Sequence, residues 1–139
     1  PIVDLLRQRA RPDRFSNALA PPVVAGSRKA LESAIRAGDL RARLMGHTRR
    51  FREGLAGAGF TLIDGKTPII PVMTGEARAA QDLAAALDRR GVYVAGFFYP
   101  VVPKGKARIR TQMSAALSEA DVEFAIEAFK DAGRELRLI

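Results

Sequence analysis

Ala107-Arg108-Ile109-Arg110-Thr111-Gln112-Met113 is the stretch on which the fold turns. Arg108, Arg110 and Gln112 alternate with Ile109, Thr111 and Met113. A period of two residues predicts a strand with one face buried and the other open. Upstream, a Pro-rich link over residues 100–105 leads back to residues 92–98, whose β-branched and aromatic side chains predict a second strand. Before that, Ala80, Leu83, Ala84 and Leu87 mark the buried face of a helix over residues 76–90, with Gly91 as its stop. Residues 60–63 and 68–73 are apolar, too short for helices and separated by the turn signal Asp64-Gly65, so they predict two more strands. Downstream, Ser118 and Asp121 form a capping box for a last helix. Val122, Ala125, Ile126 and Phe129 make its apolar stripe.

Two helices precede this block. Pro21 and Pro22 suit a first turn, Val24, Ser27, Leu31 and Ile35 share a face, and Gly38 reads as the stop. Asp39 then reads as the cap of a helix carrying Leu40, Leu44, Phe51 and Leu55, closed by Gly57 and Gly59. The order helix, helix, strand, strand, helix, strand, strand, helix predicts an α/β fold, a small two-layer sandwich of about four strands covered by helices. Residues 1–20 read as a helix end and an extended arm, and residues 21–139 as one small domain. The chain opens without Met, in a helix already under way, as a piece cut from something longer does.

Bulk properties narrow the function classes. The 139 residues are 47% hydrophobic and 27% charged, enough to build a core. Without cysteine there is no disulfide, thiolate metal site or cysteine nucleophile, and no clustered ligands point to a metal. No apolar run approaches the ~20 residues that cross a bilayer, so no membrane partner is expected. The net charge of +8 comes from arginines spread along the chain with no stacking aromatics among them, which argues against nucleic acid and for small anions.

The side chains that could carry chemistry are few. Arg108 and Arg110 lie on one strand face, and a guanidinium matches a carboxylate with two parallel donors. A solvated sheet face is the commoner use of such a pair, and spacing does not choose between them. Ser16, next to Phe15 in a polar arm, has a hydroxyl suited to a phosphate, although Ser and Asn before a helix more often form turns. His47 is the sole histidine and, with no acid or second His at catalytic spacing, reads as a core residue. Lys104-Gly105-Lys106 lacks the spacing of a phosphate-binding loop. No pair of acids is placed for acid–base work, so no catalytic residue is expected in this chain.

Three stretches together carry a resemblance: residues 11–21, with Phe15-Ser16-Asn17-Ala18-Leu19-Ala20-Pro21; Ile69-Ile70-Pro71-Val72-Met73; and residues 96–116, from Gly96-Phe97-Phe98-Tyr99-Pro100 through Arg108-Ile109-Arg110-Thr111-Gln112-Met113-Ser114-Ala115-Ala116. The chain resembles the C-terminal third of the α-oxoamine synthases, fold-type I enzymes that use pyridoxal phosphate. The resemblance implies a cytoplasmic homodimer that condenses an amino acid with an acyl-CoA. The wording of residues 96–100 and 108–113 favours glycine and acetyl-CoA, a reaction that in reverse serves threonine degradation. On the family pattern Arg110 matches the residue that holds the amino-acid carboxylate. Ser16, with Phe15 beside it, matches the arm that reaches the cofactor phosphate of the partner subunit. The family's cofactor lysine, pyridine-nitrogen aspartate and ring-stacking histidine belong to an N-terminal domain outside this chain, which implies a fragment inactive alone. None of Lys29, Lys66, Lys104, Lys106 and Lys130 stands in the family's lysine context. Leu117 stands where many members have His, a departure that touches a helix start.

Overall fold

The computed structural model describes residues 1–11 and 19–139. It divides into two compact units, Pro1–Gly38 and Asp39–Ile139. The first holds α1 (Ile2–Arg9) and α2 (Pro21–Arg36), neither of which buries a residue. As expected, α2 opens on its two prolines, whose missing N–H groups cost nothing in a first turn. Its stop differs from expectation. Ala37 caps the helix by donating to the Ala34 carbonyl, and Gly38 is already the first residue of α3 (Gly38–Gly57). Gly38 is not among the residues with positive φ, so the left-handed exit that would call for glycine is not used there. Asp39 accordingly sits inside the first turn of α3, where its charge complements the helix dipole, and not at the cap.

The second unit continues with β1 (Ile69–Gly75), α4 (Ala77–Asp88), β2 (Ala95–Phe97), β3 (Ala107–Gln112) and α5 (Glu119–Glu135). The strands form one antiparallel sheet in the order β1-β3-β2, which puts β3 in the centre. Ala107, Ile109 and Thr111 are buried, whereas Arg110 and Gln112 are exposed and Arg108 is half-buried. The period of two is therefore real. Ile70 and Val72 of β1 join Ile109 in a core completed by Phe51 and Leu55 of α3, Leu83 and Leu87 of α4, and Ile126 and Phe129 of α5. Thr111, the polar member of the buried row, donates its hydroxyl to the Ile70 carbonyl at 2.7 Å. Phe129 receives Phe51 and Phe60 edge-on, with centroids 5.7 and 5.9 Å away. Gly133 of α5 lets this cluster close, because a Cβ there would lie 2.6 Å from the tip of Phe60.

The expected fourth strand, residues 60–63, is reduced to a single bridge from Leu62 to Val72. Ile63 N–H donates to Pro71 O and Met73 N–H to Thr61 O, but Pro71 has no N–H with which to answer Ile63. Arg52 takes that role, donating to the Ile63 carbonyl at 2.8 Å. At the other end Phe60 N–H is used by the Leu55 carbonyl, as part of the exit from α3. The segment at 92–98 shortens for similar reasons. Gly91 turns the chain at φ +80, Val92 N–H bonds back to Leu87 O, and Phe98 O accepts from the turn at Val101.

The capping box at α5 is complete. Ser118 N–H donates to Asp121 Oδ2 at 2.8 Å, and Asp121 N–H donates to Ser118 Oγ at 3.1 Å. The backbone bond from Ser118, helped by its hydroxyl, holds the Asp121 carboxyl below the ordinary aspartate range. A carboxyl depressed in the folded state stabilises it above the unfolded pKa and loses that contribution as pH falls through the folded value. Wild type is therefore expected to exceed Asp121→Asn in stability at pH 7. The gap should shrink as the pH drops below about 4. Urea titrations of both proteins across that range check this, and a pH-independent gap would count against it.

Candidate functional site

The open face of β3 is where the sheet meets solvent, and its two arginines differ. Arg108 donates its Nε to the Lys106 carbonyl at 3.1 Å, which ties it back to the entrance of its own strand. Arg110 pairs through the backbone with Pro71 of β1 on one side and Ala95 of β2 on the other. Its guanidinium lies over the Phe97 ring, 5.8 Å from the centroid. Among the described residues no carboxylate forms an ion pair with it, unlike Arg50, Arg78, Arg89, Arg90 and Arg134. Arg110 is thus a central-strand cation, backed by an aromatic face, with its planar fork available to an anion.

A cavity of roughly 670 Å³ adjoins it, lined by Val94, Phe97, Arg110, Met113, Leu117 and Val122 among others. Its walls are mostly apolar, with Thr111 and Gln112 among the polar residues, and Arg110 and Asp121 are the charged residues on its lining. Such a site can orient a small anionic group by two parallel hydrogen bonds from the guanidinium.

The other expected residues fall elsewhere. Ser16 and Phe15 lie outside the described residues. His47 is buried on α3 and its Nδ1 stands 3.1 Å from the Ser114 carbonyl, as suits a core histidine. Lys104 sits over the Tyr99 ring, 5.3 Å from its centroid, and both are exposed. Lys29, Lys66 and Lys106 are exposed as well, and Lys130 is paired with Glu127 at 2.7 Å. None occupies the desolvated pocket that makes a lysine amine nucleophilic. Sequence reasoning missed Arg43, which reaches from α3 to the Ala115 carbonyl at 3.4 Å. The signal was present in its position four residues before His47, on the same helical face.

Comparison with known proteins gives the family of the chain. The family model for aminotransferase class I and II matches residues 1–129. The 2-amino-3-ketobutyrate coenzyme A ligase of Escherichia coli K12 is 53% identical over 138 residues, covering 99% of this chain and 35% of the relative. An 8-amino-7-oxononanoate synthase of Thermoanaerobacter pseudethanolicus is 37% identical over the same length, again 99% of this chain and 35% of its own. Among solved structures, the serine palmitoyltransferase of Sphingomonas wittichii superposes with a TM-score of 0.90 at 32% identity, covering 100% of this chain and 35% of that one. The chain spans about a third of the length of the relatives it matches.

Proposed function

Because this chain belongs to the aminotransferase class I and II family, we propose that it is the C-terminal part of a glycine C-acetyltransferase, or 2-amino-3-ketobutyrate CoA ligase. The enzyme condenses glycine with acetyl-CoA to 2-amino-3-ketobutyrate and CoA. The observation that carries this reading is the 53% identity over nearly the whole chain, set against 37% to the oxononanoate synthase. We assign the whole protein to a cytoplasmic homodimer of threonine degradation, with residues 1–20 as the arm from its cofactor domain and residues 21–139 as its small domain.

Pyridoxal phosphate, when bound, supplies an electron sink for the glycine carbanion. In this chain Arg110 holds the glycine carboxylate by two parallel N–H donors, and the Phe97 ring beneath keeps the guanidinium in place. Val94, Met113 and Leu117 line the same cavity as Arg110 and give it apolar surface. Ser16 and Phe15, outside the described residues, would on the family resemblance help hold the cofactor phosphate of the partner subunit. The lysine that anchors the cofactor covalently lies in the part of the family length that this chain does not span.

The test compares the 139-residue chain with the full-length enzyme. With pyridoxal phosphate, glycine and acetyl-CoA, the full-length enzyme should release CoA and the 139-residue chain should not. Borohydride treatment followed by mass spectrometry should find no cofactor fixed to a lysine of the shorter chain. Turnover or a trapped adduct on that chain would sink the claim that the anchor lies elsewhere. Preference of the full-length enzyme for a long-chain acyl-CoA, or for an amino acid other than glycine, would move it to a neighbouring synthase.

A further inference from the structure

The turn that leaves β3 is held from a helix distant in sequence. Sheet pairing ends at Gln112 opposite Ile69, followed by one backbone bond from Met113 N–H to Pro68 O at 2.9 Å. The cap of α5 takes over at Ser118. Between these anchors, two donors on one face of α3 reach the turn: His47 Nδ1 lies 3.1 Å from Ser114 O, and Arg43 Nη1 lies 3.4 Å from Ala115 O. The His47 contact is the shorter, and it is shielded, because His47 is only 7% exposed. A carbonyl oxygen can only accept, so the ring nitrogen facing it carries the hydrogen. The residues that flank the held segment, Met113 and Leu117, line the same cavity as Arg110.

We propose that His47 is a positioning residue for amino-acid binding. Its Nδ1–H fixes the turn at residues 114–117, whose flanking residues Met113 and Leu117 line the cavity that Arg110 also lines. The inference rests on the proposed role of Arg110. It adds a function to a side chain that packing alone would also explain, since a buried helical histidine is often no more than core. The two accounts part on geometry. Asparagine carries its Nδ2 on Cγ, as histidine carries its Nδ1, and can make the same bond. Glutamine places its amide nitrogen one atom farther out and cannot do so without moving the turn.

The experiment uses the full-length enzyme with His47→Ala, His47→Asn and His47→Gln. His47→Ala should raise KM for glycine about fivefold, the worth of one ordinary hydrogen bond, with kcat and the KM for acetyl-CoA within about twofold. It should also speed amide hydrogen exchange over residues 114–117. His47→Asn should restore both readouts and His47→Gln should restore neither. Equal behaviour of the Asn and Gln variants, or a fall in thermal midpoint with no change in glycine KM, overturns the proposal. If the alanine variant does not fold, the contrast between Asn and Gln decides on its own. Arg110→Ala, run in parallel, separates the two levels. An unmoved glycine KM in that variant takes down both the carboxylate role and this inference. A raised KM there, with a flat His47 series, takes down this inference alone.

Discussion

Arg110→Ala in the full-length enzyme is expected to lower kcat/KM for glycine about 100-fold, the scale of losing a bidentate charge-assisted pair. The KM for acetyl-CoA should stay within about twofold, because the lost contact belongs to the amino acid. Arg110→Lys should recover only part of the loss, since an ammonium is a point charge without the fork. The urea midpoint should hardly move, because the Arg110 side chain is exposed and its strand is held by backbone pairs on both sides. Steady-state kinetics with glycine and acetyl-CoA varied separately make the measurement. Unchanged glycine kinetics would remove Arg110 from the substrate site, and equal losses for both substrates would indicate damage to the fold.

Phe129→Ala should be the most damaging single truncation in the core. Phe129 is fully buried and joins α3, through Phe51, to the exit segment at Phe60. Removing a buried phenyl ring costs about 3–5 kcal/mol, a large share of the ~5–15 kcal/mol that keeps a domain folded. Urea denaturation followed by far-ultraviolet circular dichroism should show either a midpoint shift of that size or a chain already unfolded. Tyr93→Ala is the matched control. Tyr93 is 88% exposed, and its loss should change stability by less than about 0.5 kcal/mol. Similar losses for the two variants would mean that the aromatic cluster around Phe129 is not the centre of the core.

What could be read in advance follows from which forces act locally. The alternation at residues 107–113 was legible because its period depends only on one strand facing one core. The capping box at Ser118 was legible for the same reason: both partners lie within one turn. The reduction of residues 60–63 to one bridge was not, because it is caused by Pro71 across the pairing, a residue that reads well in its own strand. The role of Gly38 was misread because two helices meet there with a single residue between them, and Ala37 closes the first without a left-handed turn. At the site, two arginines on a strand face looked equivalent. Spacing does not separate them, the family resemblance picks Arg110, and in three dimensions Arg108 bonds to Lys106 while Arg110 lies over Phe97. The tether from His47 to Ser114 spans 67 positions, and no local pattern announces a contact that long.

The central position of β3 also has a genetic consequence. Losing one codon at 109 or 110, mid-strand, would turn the residues on one side of the gap to the opposite face and press an arginine toward the core. Losing one codon in the loop at 103–106 would leave both rows where they are, because a turn between strands can give up a residue without altering which way the strand faces. Single-codon deletions scanned along this segment should therefore be sharply bimodal. In the same way, Arg110 and Gln112 line the cavity while Ile109 and Thr111 hold the fold, so on the proposed function changes at 110 and 112 are expected to alter binding more than stability.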